Sequence, residues 1–318
     1  MKVLLSCVNS LVSLIGYDTE SEKAFWYLPA NIIRSCGACY DDDSLLVASD
    51  SSLVRVSPDG VLAAKLPGPH DNLAHSVRKF GDKIAVADTG NSRVLFLDRR
   101  MESCTALEPF EGCAGLGQDA IHLNDMHVFA DEVLASCFSI HPFDRHQPYR
   151  DFNWKTSKLG AVLALRKEDG ATISRIVAAG LDCPHSLNLI DDRLYCCSSR
   201  GGEFLEFALT GRGMFSEERI WPVTKRHFLR GALKDQDGSW LLGGSSLRGR
   251  DGRVSGAALF RLEPGSGAVR QMHVAKVGEI YEVLPWRDEV MRPLANVLGG
   301  LPPDQSDCQD YPAVVDLP

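Results

Sequence analysis

A chain of 318 residues, 44% hydrophobic and 24% charged, has the make-up of a folded globular protein rather than a disordered one. Its net charge of -8, with lysine and arginine scattered, lacks the basic face that nonspecific nucleic-acid or anionic-membrane binding needs. No stretch approaches the roughly 18 apolar residues of a membrane helix, so no nucleic acid and no membrane is expected as a partner, and a small-molecule substrate is.

The first element is a strand, Val3 to Cys7. Lys2 followed by Val3, Leu4 and Leu5 imitates a signal peptide, but Ser6, Asn9, Ser10 and Ser13 break the apolar run. A cytoplasmic protein is therefore expected. The 10 cysteines, spread thinly, read as free and mostly buried thiols in a reducing compartment. Cys36 and Cys39 form a CxxC with no second pair to complete a zinc site.

Beyond that strand, helical periodicity is almost absent, and one unit recurs: apolar strand, tight acidic turn, second strand, glycine-containing loop, third strand. Near the start it reads His75 to Asp82, then Lys83 to Asp88, then Val94 to Asp98. The acidic turn residues are Asp43, Asp82, Asp131, Asp192, Asp237 and Asp288, at intervals of 39, 49, 61, 45 and 51. Second strands follow as Ser44 to Ser49, Glu132 to Ser136, Arg193 to Cys197, Trp240 to Gly244 and Glu289 to Met291. A period of roughly 40 to 50 residues with several strands per unit is that of propeller blades. The fold expected is all-β: one six-bladed β-propeller of four-stranded antiparallel blades over 1–300, closed by the N-terminal strand pairing with the last blade. The alternatives are a seven-bladed ring or a split β-sandwich. Residues 301–318 read as a Pro-rich tail or strap.

Val86 to Asp98 resembles one NHL propeller repeat, and the layout resembles the gluconolactonase and senescence-marker propellers and, more distantly, strictosidine-synthase-like ones. Ser6-Cys7-Val8-Asn9-Ser10, His122-Leu123-Asn124, Pro184-His185-Ser186 and Leu229-Arg230-Gly231 are similar to motifs of a family of uncharacterised bacterial proteins predicted to be six-bladed propellers. That resemblance implies the fold and supplies no chemistry.

Each blade's inner strand should run from the channel mouth to its acidic turn, so residues seven positions before each marker share a depth: Cys36, His75, Asn124, His185, Arg230 and Tyr281. A channel filled only for packing would carry small apolar side chains here. The gluconolactonase-like propellers hold a divalent cation at this ring, with a Glu, two Asn and an Asp. Here Asn124-Asp125 matches one motif, but His185 and Arg230 stand where the other Asn and the Asp would be. Calcium is disfavoured unless Asp125 or a glutamate compensates.

Two readings of the ring follow. In one, His75 and His185 with Glu279 or Glu282 hold a divalent transition metal. In the other, without metal, Arg230 clamps a carboxylate or phosphate, His75 or His185 moves a proton, and Asn124 and Tyr281 orient the substrate or meet an oxyanion. Cys36 of the ring, and His122 beside it, are further substrate contacts. The insertion 137–160, with His141, Tyr149, Phe152 and Trp154, should emerge over the mouth as a lid, Trp154 touching substrate. A second enlarged loop carries Arg248, Arg250 and Arg253. The function expected is hydrolysis, isomerisation or lyase chemistry on a small anionic metabolite. A non-catalytic propeller that binds a ligand or protein on the same face is the rival.

Overall fold

The computed structural model describes residues 1–102, 104–110, 119–129, 131–140, 158–169, 171–210, 214–246, 256–275 and 277–299. The chain opens with β1 (Lys2–Val8), β2 (Val12–Asp18) and β3 (Lys23–Pro29). The next blade is β4 (Gly37–Asp41), β5 (Ser44–Ser49), β6 (Ser52–Ser57) and β7 (Gly60–Lys65). After it come β8 (Ala74–Phe80), β9 (Lys83–Asp88), β10 (Arg93–Asp98) and β11 (Cys104–Leu107), then β12 (Leu123–Phe129), β13 (Glu132–Cys137), β14 (Gly160–Glu168) and β15 (Ala171–Leu181). The fifth blade is β16 (Pro184–Ile190), β17 (Arg193–Ser198), β18 (Glu203–Leu209) and β19 (Phe215–Pro222). The sixth is β20 (His227–Lys234), β21 (Trp240–Ser246), β22 (Ala257–Glu263) and β23 (Ala268–Val274), followed by β24 (Glu279–Pro285) and the helix α1 (Asp288–Leu298).

Among the described residues these strands form six four-stranded antiparallel sheets. The ring closes as the first strand predicted: β1 pairs with β24, so one blade has its inner strand from the C-terminal side and its other three from the N-terminus. Closure completes the last blade as a four-stranded sheet like the other five.

Strand alternation builds the core. On β1, Val3, Leu5 and Cys7, with Ile280 of the same blade, face the preceding blade, against Leu241 and Leu259, while Leu4 faces the following one, against Leu45 and Val47. The same division recurs around the ring, so the apolar clusters lie between neighbouring blades rather than at one centre. With both faces covered, the strands read as near-continuous apolar runs.

Five of the acidic markers, Asp43, Asp82, Asp131, Asp192 and Asp237, lie in the turn between the first and second strands of a blade. The sixth does not. Asp288 begins α1, so Glu289 to Met291 is helix and the second strand of that blade is β1. The local sequence explains the difference: Asp288 and Glu289 sit at the positive end of the helix dipole. Val290, Met291, Leu294 and Leu298 then recur on one face and are buried beside Leu4, Leu45 and Val54. Gly299 in the left-handed conformation ends the helix, its N–H bonding the carbonyl of Ala295.

Candidate active site at the channel mouth

Inner strands start at the mouth, and their first residues are displaced by irregular pairing. Register shifts fall at Ala74/Val77, Leu123/Met126, His185/Asn188, Arg230/Ala232 and, on the β1–β24 pair, Ser6/Cys7. Such bulges re-aim side chains next to functional sites. A second irregularity precedes them. Leu73, His122 and Cys183, each two residues before a ring position, have φ of 46°, 49° and 52°. Left-handed backbone at a non-glycine residue costs about 1–3 kcal/mol and persists where the surroundings impose it.

That turn fixes the imidazoles. Nδ1 of His75 lies 2.6 Å from the Leu73 carbonyl, and Nδ1 of His185 lies 3.0 Å from the Cys183 carbonyl and 2.7 Å from Ser199 Oγ. A carbonyl only accepts, so Nδ1 of both rings carries the proton. Burial, with help from His122 and Arg230, pushes His75 down to about 3. Burial and then Arg230 hold His185 well below the usual histidine range. Both are neutral near pH 7, and both present an Nε2 lone pair. His122 belongs with them: its Nδ1 is 2.9 Å from the carboxylate of buried Asp119.

Aromatic contacts link the predicted positions into a ring. The His75 ring lies 5.7 Å from Tyr281 and 5.3 Å from His122, centroid to centroid. Phe138 lies 4.2 Å from His122 and 5.1 Å from His185, which lies 5.3 Å from Phe228. The Arg230 guanidinium closes the circuit, 4.6 Å from the Phe228 ring and 4.1 Å from Tyr281. Phe138 directly follows β13, so the inserted loop does leave on the mouth face. Residues 141–157, Trp154 among them, and Arg248, Arg250 and Arg253 lie outside the described residues.

Asn124 is 2% exposed and its Nδ2 has no partner among the described residues, as is true of His185 Nε2. Cys36 is buried just before β4, and burial pushes its thiol up to about 12, which removes it as a nucleophile.

The charge partners bear on these expectations. Arg230 pairs with Glu279, which also accepts a bond of 2.8 Å from Asn9, so an anion bound there would share the guanidinium with that carboxylate. Glu282 lies deeper, where Arg78 bridges it at 2.9 Å and Asp125 at 3.1 Å. With both glutamates committed to guanidiniums, the metal set His75, His185, Glu279, Glu282 is not assembled, and no group of three metal-ligating side chains converges among the described residues. Asp125, the residue that could have restored a calcium site, receives Ser76 Oγ at 2.7 Å and the Leu187 N–H at 2.8 Å. This floor crosses the channel from four inner strands. Burial, aided by Asp125 and opposed by Arg78, raises Glu282 to about 7.

Sequence reasoning missed Asp119 and Phe138, which lie outside the inner strands, and Phe228, which lies on β20 two residues before the ring position. The Asp-x-x-His spacing of Asp119 to His122 was the available signal.

No protein-family model matches the chain, and neither does any curated protein. Solved structures do. A protein of unknown function from Bacteroides caccae is 14% identical with a TM-score of 0.64, over 90% of this chain and 98% of that one. A chain of the nidogen/laminin complex is 13% identical with a TM-score of 0.58, over 89% and 97%. A putative 6-phosphogluconolactonase from Bacteroides fragilis is 12% identical with a TM-score of 0.51, over 89% and 96%. At these identities the likeness is one of fold: a six-bladed propeller similar in shape to the gluconolactonase type, as the sequence layout suggested.

Proposed function

We propose that the mouth is the active site of an enzyme that moves protons on a small polar metabolite, by hydrolysis, isomerisation or lyase chemistry. The observation that carries this reading is the set of three imidazoles, His75, His122 and His185, each with Nδ1 committed to an acceptor. A packing residue needs no fixed tautomer. A general base does, because its free nitrogen must be the unprotonated one. His122 is the base, since Asp119 orients it and stabilises the imidazolium that forms. His185 Nε2, buried and without a partner among the described residues, is the second proton acceptor or the site of a substrate hydrogen bond. Asn124 Nδ2 is the donor to a developing oxyanion, and Tyr281 lies across the ring beside His75.

The transition-metal alternative needs a carboxylate beside His75 and His185, and Arg230 and Arg78 hold the two candidates. A protein-binding propeller would have no use for an aspartate-oriented histidine buried in the channel.

The test is a screen of lactones, esters and hydroxy acids for proton release or substrate loss, on wild type and His122→Ala. Any substrate found should lose about 10²–10⁴-fold in kcat on the substitution. A turnover that His122→Ala leaves intact would overturn the assignment.

A further inference from the structure

We infer that the group recognised at the mouth is an uncharged amide, its carbonyl taken by Asn124 and its N–H by His185. This rests on the mouth being the substrate site, and it names the chemical class that site takes. Asn124 and His185 are each the second residue of an inner strand, β12 and β16, and these strands lie side by side in the ring. Just below both, the Asp125 carboxylate ties the two strands together by accepting the Leu187 N–H at 2.8 Å. The two side chains therefore start from neighbouring strands at the same end of the channel.

Asn124 is 2% exposed and its Nδ2 meets no acceptor, while His185 is 3% exposed and its Nε2 meets no donor, among the described residues. The His185 ring proton sits on Nδ1 against the Cys183 carbonyl, so Nε2 only accepts, and Asn124 Nδ2 only donates. The two do not satisfy one another. Buried polar atoms without partners are costly, and folding gains nothing from leaving one of each at adjacent ring positions. A group that meets both must bring an acceptor and a donor. A carboxylate lacks the donor, an ammonium lacks the acceptor, and a ketone or ester carbonyl leaves Nε2 unmet. An amide carries both on neighbouring atoms of one plane. The match is independent of the net charge around it, since both protein atoms and the group that meets them are neutral. The rings of Phe138 and Phe228, 5.1 and 5.3 Å from the imidazole, keep its surroundings apolar, which strengthens a hydrogen bond made there. A hydroxyl also gives and takes, through a single oxygen, and is the competing case.

Four probes of one ring size separate these cases: 2-pyrrolidinone, cyclopentanone, cyclopentanol and pyrrolidine, the last protonated at neutral pH. Each is titrated into the full chain carrying ¹⁵N-labelled histidine. 2-Pyrrolidinone should shift the His185 ring resonances saturably and bind at least about tenfold tighter than cyclopentanone, which lacks the N–H. His185→Phe should bring that ratio close to unity, and Asn124→Leu should weaken both carbonyl probes alike and leave the ratio standing. Should either variant fail to fold, the ranking on the wild-type chain decides alone. Any other probe binding within about tenfold of 2-pyrrolidinone, or no response of His185 to any probe, would overturn the inference. Because the titration reads binding without turnover, the amide preference can stand where His122→Ala keeps its activity, and can fail where that variant loses it.

Discussion

The carboxylate of Asp119 accepts the Nδ1 proton of His122 at 2.9 Å, three residues further along a loop whose backbone is left-handed at both positions, with φ of 59° and 49°. Two strained residues holding one carboxylate against one imidazole is an arrangement with a purpose beyond packing. Asp119→Asn keeps the volume but lets the amide donate to Nδ1, turning the imidazole to the wrong tautomer. Activity should fall about 10²–10⁴-fold, and the ¹⁵N shifts of His122 should report the exchanged tautomer. Unchanged shifts would show that the aspartate does not set it.

The channel carries two titrations of opposite sign. His75 has a folded pKa depressed from 6.5 to about 3, so the stability from its neutral state is complete above pH 6.5 and is lost as the pH falls toward 3. Glu282 is raised from 4.5 to about 7, so its contribution is complete below pH 4.5 and is lost as the pH rises through 7. Between pH 4.5 and 6.5 the two slopes oppose each other. Thermal unfolding of Glu282→Gln should therefore show Tm climbing more steeply with pH across this window than in wild type, and His75→Gln should climb less. Identical profiles for all three proteins would remove both assignments.

How much of this was legible depends on where the information lies along the chain. The turn markers worked because a two-residue turn closing an antiparallel pair demands positive φ, which Asp42, Asp191, Asp192 and Gly81 supply, while Gly238 supplies it in the longer connection between β20 and β21. Inner strands of nearly constant length then carried the count of seven from the turn back to the mouth. The count still reached Tyr281 from Asp288, but the turn reading failed there because the closing blade draws its inner strand from one end of the chain and its second strand from the other, so no turn follows β24. Charge partners were illegible for a related reason. Arg230 and Glu279 sit on neighbouring inner strands 49 residues apart, and Arg78 and Glu282 are 204 apart. Residue types alone suggested a free guanidinium and free carboxylates. Only the ring, by setting β20 beside β24 and turning β8 and β24 toward one channel, shows that they pair with one another.

Gly231 follows the mouth arginine in a bulge at φ +66°, and a Cβ there would lie 3.0 Å from the backbone of Glu282 and Val283 on the neighbouring inner strand. An alanine meets both the left-handed backbone and that wall. Gly231→Ala should cost about 1–3 kcal/mol from the backbone term alone, read from denaturant unfolding. It should also disturb the Arg230–Glu279 pair. A neutral substitution would mean that the two strands approach less closely than this packing requires.

The closure strand offers a test of the whole architecture. Leu4 and Leu5 are adjacent on β1 and both 0% exposed, yet they serve different interfaces, Leu4 toward Leu45 and Val47 and Leu5 toward Leu241 and Leu259. If β1 only decorated a ring already closed by other strands, truncating either would cost little. As the partner of β24 it holds two blade interfaces together, so Leu4→Ala and Leu5→Ala should each lose about 2–5 kcal/mol. Because the side chains share no packing partner, the double variant should lose close to the sum. A loss in the double variant well below the sum would show that the first substitution already frees the strand, and that the two faces of β1 fail as one unit. Loss on only one side would place β1 outside the ring and refute the closure.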